Sequence, residues 1–226
     1  MANTGAAFRF HPSWKSAAEL KLSHEEVSAS MLEIGMLQPI LHSGIRRGSI
    51  AEVHGARSAG RTSLCLSILA EATARGEVCA VVDLQNNFHP ASASEAGVVL
   101  ERVVWVRCGG KLEAALRACD LLLHAGGFGV IYLDLCEAEA KSLHKIPLSY
   151  WHRFRQAVEH TPSILLVSTH IPQVKSCAGL SLQLKMAAVA WSGKDPFCVL
   201  RGIKNAVTPG GRMMPVRPHL LFLKAA

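Results

Sequence analysis

Two glycines five residues apart, followed by a cation and a hydroxyl, form the stretch of this 226-residue chain best suited to chemistry. The run Gly55-Ala56-Arg57-Ser58-Ala59-Gly60-Arg61-Thr62-Ser63 has the spacing of a phosphate-binding loop, G-x-x-x-x-G-K-[ST], with one departure. Glycines let backbone N–H groups turn inward onto an anion, and a helix N-terminus adds partial positive charge. Gly55, Ser58, Ala59, Gly60, Arg61, Thr62 and Ser63 are therefore the candidate contacts to a nucleotide's phosphates. The departure is Arg61, which stands where the pattern has lysine. Lysine offers a compact point charge, whereas arginine is longer, planar and forked, so the two do not fill that slot equivalently. Two further residues suit a magnesium ion accompanying phosphates: the hydroxyl of Thr62 and the carboxylate of Asp134 at the end of an apolar run. The bland readings are a threonine that starts a helix and an aspartate that caps a loop.

The elements around these residues agree with the pattern. Ser49–His54 reads as a buried strand and Thr62–Glu71 as a helix, the strand–loop–helix setting that such a loop requires. Strands are expected at 77–83, 103–107, 129–134 and 163–169, and helices at 111–125 and 148–161. Leu112, Ala115, Leu116, Cys119 and Leu123 share one face of the first of these helices, and Gly126-Gly127 stops it. Apolar strands separated by helices predict an α/β fold with a mostly parallel sheet. After residue 180 the helices cease. Segments 185–191, 197–204 and 219–224 read as short strands with turns at 193–196 and 208–211, an antiparallel extension on one edge. Ser23-His-Glu-Glu26 is a capping box that predicts a helix over about 24–36, residues 1–12 read as disordered, and 41–48 as a loop. The organisation expected is an N-terminal appendage over 1–40 and a core over 41–226.

Bulk properties narrow the function classes. No apolar run of about 18 residues exists, and the first thirty residues lack a signal peptide's apolar stretch, so a cytosolic protein without a membrane span is expected. The seven cysteines contain no CxxC pair and read as reduced core residues. The eleven histidines show no zinc-ligand spacing. Net charge is +7, and residues 194–226 hold six Lys and Arg against Asp195 alone. A basic end of this kind suits nucleic acid or an acidic partner, or is simply a solvated face.

The order Gly48-Ser-Ile-Ala-Glu-Val53, phosphate loop, a strand ending at Asp83, His89-Pro90, Leu116-Arg-Ala-Cys-Asp120, and Val130-Ile-Tyr-Leu-Asp134 resembles the RecA ATPase core over roughly residues 40–210. Val103-Val-Trp-Val-Arg-Cys-Gly109, Asp120-Leu-Leu-Leu-His-Ala-Gly-Gly-Phe128 and Ile146-Pro-Leu-Ser-Tyr-Trp-His-Arg-Phe-Arg155 resemble more closely the ImuA-type proteins of bacterial mutagenic repair cassettes. That resemblance implies a bacterial cytoplasmic, nucleoid-associated protein of the DNA damage (SOS) response. Its implied partners are RecA, an inactive relative of the Y-family polymerases, an error-prone polymerase and single-stranded DNA.

Departures from the RecA pattern fall together on the positions that ATP hydrolysis and DNA binding depend on. Gln85 stands where the resemblance implies a glutamate that activates water. A neutral amide orients water but cannot take its proton, and general-base help is worth about 10²–10⁴ in rate. Ser92 replaces an adenine-stacking tyrosine, and His170 replaces a sensor glutamine. The loop 171–179 is short where the resemblance implies a long DNA-binding loop. ATP and Mg²⁺ binding stays open, because Gly55, Gly60, Thr62 and Asp134 are retained. The expectation is an accessory protein with little or no ATP hydrolysis; the alternatives are a DNA-dependent recombination ATPase and a basic regulatory protein of another kind. Trp151, Arg153, Phe154 and Arg155 on one helix could meet DNA, or the two aromatics could pack inward while the arginines are solvated.

Overall fold

The computed structural model describes residues 31–42, 44–194, 197–210 and 219–224. Its strands are β1 (Met31–Leu32), β2 (Ile45–Arg46), β3 (Ser49–Gly55), β4 (Cys79–Asp83), β5 (Val103–Arg107), β6 (Val130–Asp134), β7 (Ile164–Thr169), β8 (Leu180–Lys194), β9 (Phe197–Gly210) and β10 (His219–Lys224). Its helices are α1 (Arg61–Ala74), α2 (Pro90–Glu95), α3 (Leu112–Ala125), α4 (Ala140–His144) and α5 (Leu148–Glu159). The large sheet runs β10-β9-β8-β3-β7-β6-β4-β5. Strands β3 to β7 are parallel, β8 joins β3 in parallel, and β9 and β10 complete an antiparallel edge. This is the mixed α/β architecture the sequence predicts.

The central parallel strands β3, β4, β6 and β7 are buried on both faces, which is why they read as continuous apolar runs rather than alternating ones, whereas β5 at the sheet edge is largely exposed. One face packs Val53, Val81, Tyr132 and Leu166 against Leu64, Ile68 and Leu69 of α1. The other packs Ile50, Ala80, Ile131 and Leu165 against Leu116 and Leu123 of α3 and Trp151, Phe154 and Val158 of α5. Helix α3 ends where expected, at Gly126 with φ 69°. The buried edge of α1 reaches past Leu69 to Thr73, whose hydroxyl bonds back to the carbonyl of Leu69 at 2.9 Å.

Several boundaries differ from the sequence reading. Within the expected helix 24–36, residues 31–32 are a strand paired with Ile45–Arg46, and Gly35–Leu37 is a single 3₁₀ turn. The capping box and the reading of 1–12 lie outside the described residues. Leu32, Ile34, Leu37 and Ile40 are buried in the same cluster as α1, so residues 31–40 are part of the packed core rather than an appendage. The expected loop 41–48 contains β2. At the far edge, β8 and β9 are much longer than predicted; Pro209 and Gly210 are ladder residues opposite Leu182 and Ser181, not a turn.

Register brings the candidate residues to one end of the sheet. Asp83 stands opposite Asp134, Asp134 opposite Ser168, and Ser168 opposite Val53, two residues before Gly55. The carboxyl ends of parallel strands are where open α/β sheets bind ligands.

Candidate nucleotide-binding site

Strand β3 delivers the chain to Gly55, and space rather than flexibility decides that residue. A Cβ there would lie 2.3 Å from the carbonyl oxygen of Leu184 on β8. The loop then turns through Ser58, at φ 59°, and Gly60, which caps α1 at φ 76°. Glycine reaches this left-handed geometry without strain, and the first N–H groups of α1 have no acceptor within the helix. They form the phosphate-facing end of the loop. Thr62 and Ser63 are exposed on the first turn.

Arg61 behaves unlike the lysine it replaces. Its side chain is only 5% exposed, and its Nη1 has no hydrogen-bond partner. It acts electrostatically on Cys65, Cys136 and His170, so the guanidinium is turned inward to the ends of β6 and β7. The His170 imidazole is held below its usual pKa, first by burial and then by Arg61. Arg57, mostly exposed by contrast, forms an ion pair with Glu137 beyond β6, joining the loop to the opposite rim.

Asp134 is buried, and burial pushes its carboxyl above the ordinary carboxylate range. Its Oδ1 accepts a hydrogen bond from the Cys136 N–H at 3.0 Å, which partly offsets that shift. Asp83 is committed elsewhere. Its carboxylate accepts from the N–H groups of Asn87 (3.0 Å) and Phe88 (2.9 Å) and from Trp105 Nε1 (3.1 Å), fixing the turn after β4. That turn seats His89, whose Nδ1 caps α2 by accepting from the Ser92 N–H at 3.2 Å.

Between these elements lies a cavity of about 350 Å³. Thr62, Ser92 and Asp134 line it together with Phe88, Tyr132 and Glu137. Arg61, Gln85 and His170 are not among its lining residues. Gln85 is exposed and rests near Gly110, where an added Cβ would lie 3.5 Å from its Oε1. The sequence reading missed Arg57, Tyr132, Cys136 and Glu137. Only Arg57 carried a signal, as a cation inside the loop motif; the others are chain neighbours of Asp134, Tyr132 two residues before it on β6 and Cys136 and Glu137 just after it.

Two further groups of residues resolve open readings. Trp151 and Phe154 are buried in the core, 1% and 0% exposed, so the aromatics of α5 do not form a nucleic-acid surface. Arg153 pairs with Asp120 at 3.0 Å and lies over the Tyr150 ring. The loop after β7 is tied down by Glu52, a carboxylate buried in β3. Its Oε1 accepts from the N–H groups of Gln173 (2.6 Å) and Val174 (3.0 Å), and its Oε2 from the Ser181 hydroxyl (3.3 Å).

A family model described as RecA N-terminal domain matches residues 16–142, more than half of the chain. The chain belongs to the RecA family. Its match runs from before β1 through the phosphate loop, β4 and Asp134 into α4. Protein RecA of Laribacter hongkongensis (strain HLHK9) is 38% identical over 91 residues, 40% of this chain and 25% of that protein. The chain thus matches about a quarter of that relative's length. Among the described residues, no helix is long and apolar enough to cross a membrane.

Proposed function

We propose that this RecA-family chain is an accessory protein of the DNA damage response and translesion mutagenesis, with a degenerate phosphate loop that hydrolyses ATP slowly or not at all. The observation that carries the reading is Arg61, whose guanidinium is buried toward Cys136 and His170 instead of lining the cavity. An inward cation leaves the outer phosphates without the charge that normally stabilises transfer.

The remaining parts fit a nucleotide with magnesium. The first-turn N–H groups of α1 would take phosphate oxygens. The Thr62 hydroxyl and the Asp134 carboxylate, both on the cavity wall, would hold Mg²⁺, which supplies charge neutralisation when bound. Gln85 would orient water without accepting its proton. Bound nucleotide then acts as a switch rather than a fuel. In this role the chain works through protein partners in the bacterial cytoplasm: RecA, an inactive Y-family polymerase relative and an error-prone polymerase.

A second reading, a DNA-dependent recombination ATPase, is favoured by one observation: Thr62 and Asp134 face the same cavity. Turnover with single-stranded DNA, measured for the wild type and for the double variant Arg61→Lys with Gln85→Glu, separates the two. The accessory reading expects a negligible wild-type rate that rises in the double variant. A wild-type rate within about tenfold of an intact RecA core, or a double variant no faster than wild type, would count against it.

A further inference from the structure

The core ends at the β3–β8 ladder, but the hairpin does not. β8 pairs with β3 only from Leu180 to Leu184. From Lys185 to Lys194 its sole partner among the described strands is β9, so its other edge carries unpaired backbone groups over ten residues. β10 supports β9 only from Gly202 to Val207, which leaves the tip a two-stranded ribbon. Ribbons of that kind are marginal alone in water.

This projecting ribbon is apolar on both faces. Phe197 and Val199 alternate on one face of β9, 83% and 62% exposed. Trp191, 61% exposed, stands opposite Leu200 on the other, with Val189 two residues before it. Met186 is exposed at the base. Such concentration is unusual for a free surface. The charge is one-sided as well. Residues 180–210 hold Lys185, Lys194, Arg201 and Lys204 against Asp195 alone. Lys185, Arg201 and Lys204 are exposed, and Arg201 is positioned by donating from Nε to the Ser192 hydroxyl at 2.6 Å.

We infer that the outer edge of β8, residues 185–194, is a docking site for an extended strand of a partner protein in which apolar and acidic residues alternate. Strand addition satisfies the unpaired N–H and C=O groups, which neither a nucleic acid nor a helix can do along a ladder. The partner's apolar side chains cover Trp191 and Val189, and its carboxylates meet Lys185, Arg201 and Lys204. The lysines and the register shifts near Ala187 and Arg201 keep identical basic edges from pairing with each other, as edge strands in soluble proteins must. The site begins at Lys185, next to the Leu184 that pairs with Gly55 at the start of the phosphate loop, and runs outward from there along the β extension.

The test is selection of ten-residue peptides from a displayed random library against the full chain, followed by titration of the enriched peptide. Enriched sequences are expected to alternate apolar with acidic residues. Trp191→Ser and Lys185→Glu, both at exposed positions, should each weaken the enriched peptide about tenfold while leaving the circular dichroism spectrum unchanged. Charge-swapped peptides with lysine for the acids should regain affinity for Lys185→Glu. The inference is overturned if no acidic alternating sequence is enriched, or if binding is indifferent to both variants. It is equally overturned if these variants instead abolish self-association in sedimentation or the binding of a single-stranded oligothymidylate.

Discussion

Replacing Arg61 with methionine should make the protein more stable, an outcome that runs against the usual effect of changing a buried residue. The guanidinium is 5% exposed and its Nη1 is unpartnered. A buried charged donor left unmade costs about 1–3 kcal/mol or more. Methionine keeps most of the apolar stem that arginine packs against its neighbours. The net gain should be about 1–2 kcal/mol, or roughly 2–8 °C in midpoint for a chain of this size. The assay is urea unfolding in buffer free of phosphate, with far-ultraviolet circular dichroism as the signal. Mg-ATP should then stabilise the wild type and Arg61→Met to a similar extent, because Thr62 and Asp134 line the cavity and the inward guanidinium does not, and a ligand held by the native state alone adds RT ln(1 + [L]/Kd). A loss of more than about 1 kcal/mol in Arg61→Met would refute the reasoning, because it would mean that the guanidinium is satisfied in the native state.

Glu52→Ala should cost about 3–5 kcal/mol in the same unfolding assay, because it leaves the N–H groups of Gln173 and Val174 buried without an acceptor; Glu52→Gln should cost about half as much, and hydrogen exchange should quicken at those two amides. A loss under about 1 kcal/mol for the alanine variant would show that the loop is held by other contacts. Asp134→Asn should stabilise the fold at neutral pH. Burial raises the carboxyl above its ordinary 3.8, so the native state keeps the proton to higher pH than the unfolded chain. The stability linked to that proton is complete below pH 3.8 and is lost as pH rises through the native value. The variant's advantage should therefore vanish near about pH 3, and a constant advantage across the range would contradict the assignment. Trp151→Ala should lose about 3–5 kcal/mol from the α5 face of the core without altering the salt dependence of any DNA binding; a changed salt slope would return α5 to consideration as a nucleic-acid surface.

What could be read from the sequence follows physical rules with a short range. The runs at 49–54, 130–134 and 164–169 are apolar because both sheet faces are covered, and that burial is visible residue by residue. The phosphate loop is visible because its spacing is fixed by the backbone. The strand pair 31–32 and 45–46 is too short to leave a pattern, and a capping box upstream biased the reading toward helix. The length of β8 and β9 was hidden by Ala187-Ala-Val-Ala190, which alternates nothing, and by bulges that break the period near Ala187 and Arg201. Pro209-Gly210 is ordinarily turn chemistry, yet here it sits at a ladder end opposite Ser181 and Leu182. Glu52 announced itself only as a charge inside an apolar strand; its partners are more than a hundred residues away. The identity of Arg61 was plain, but its inward direction depends on His170 and Cys136, which meet it only in the folded sheet.

The measurement that tests the account most directly is calorimetric titration of the purified full chain with Mg-ATP, with and without single-stranded DNA, and with phosphate release followed on the same sample. The account predicts saturable binding without appreciable release, and binding that weakens in Thr62→Ala. Release stimulated by DNA to within about tenfold of an intact RecA core would contradict it.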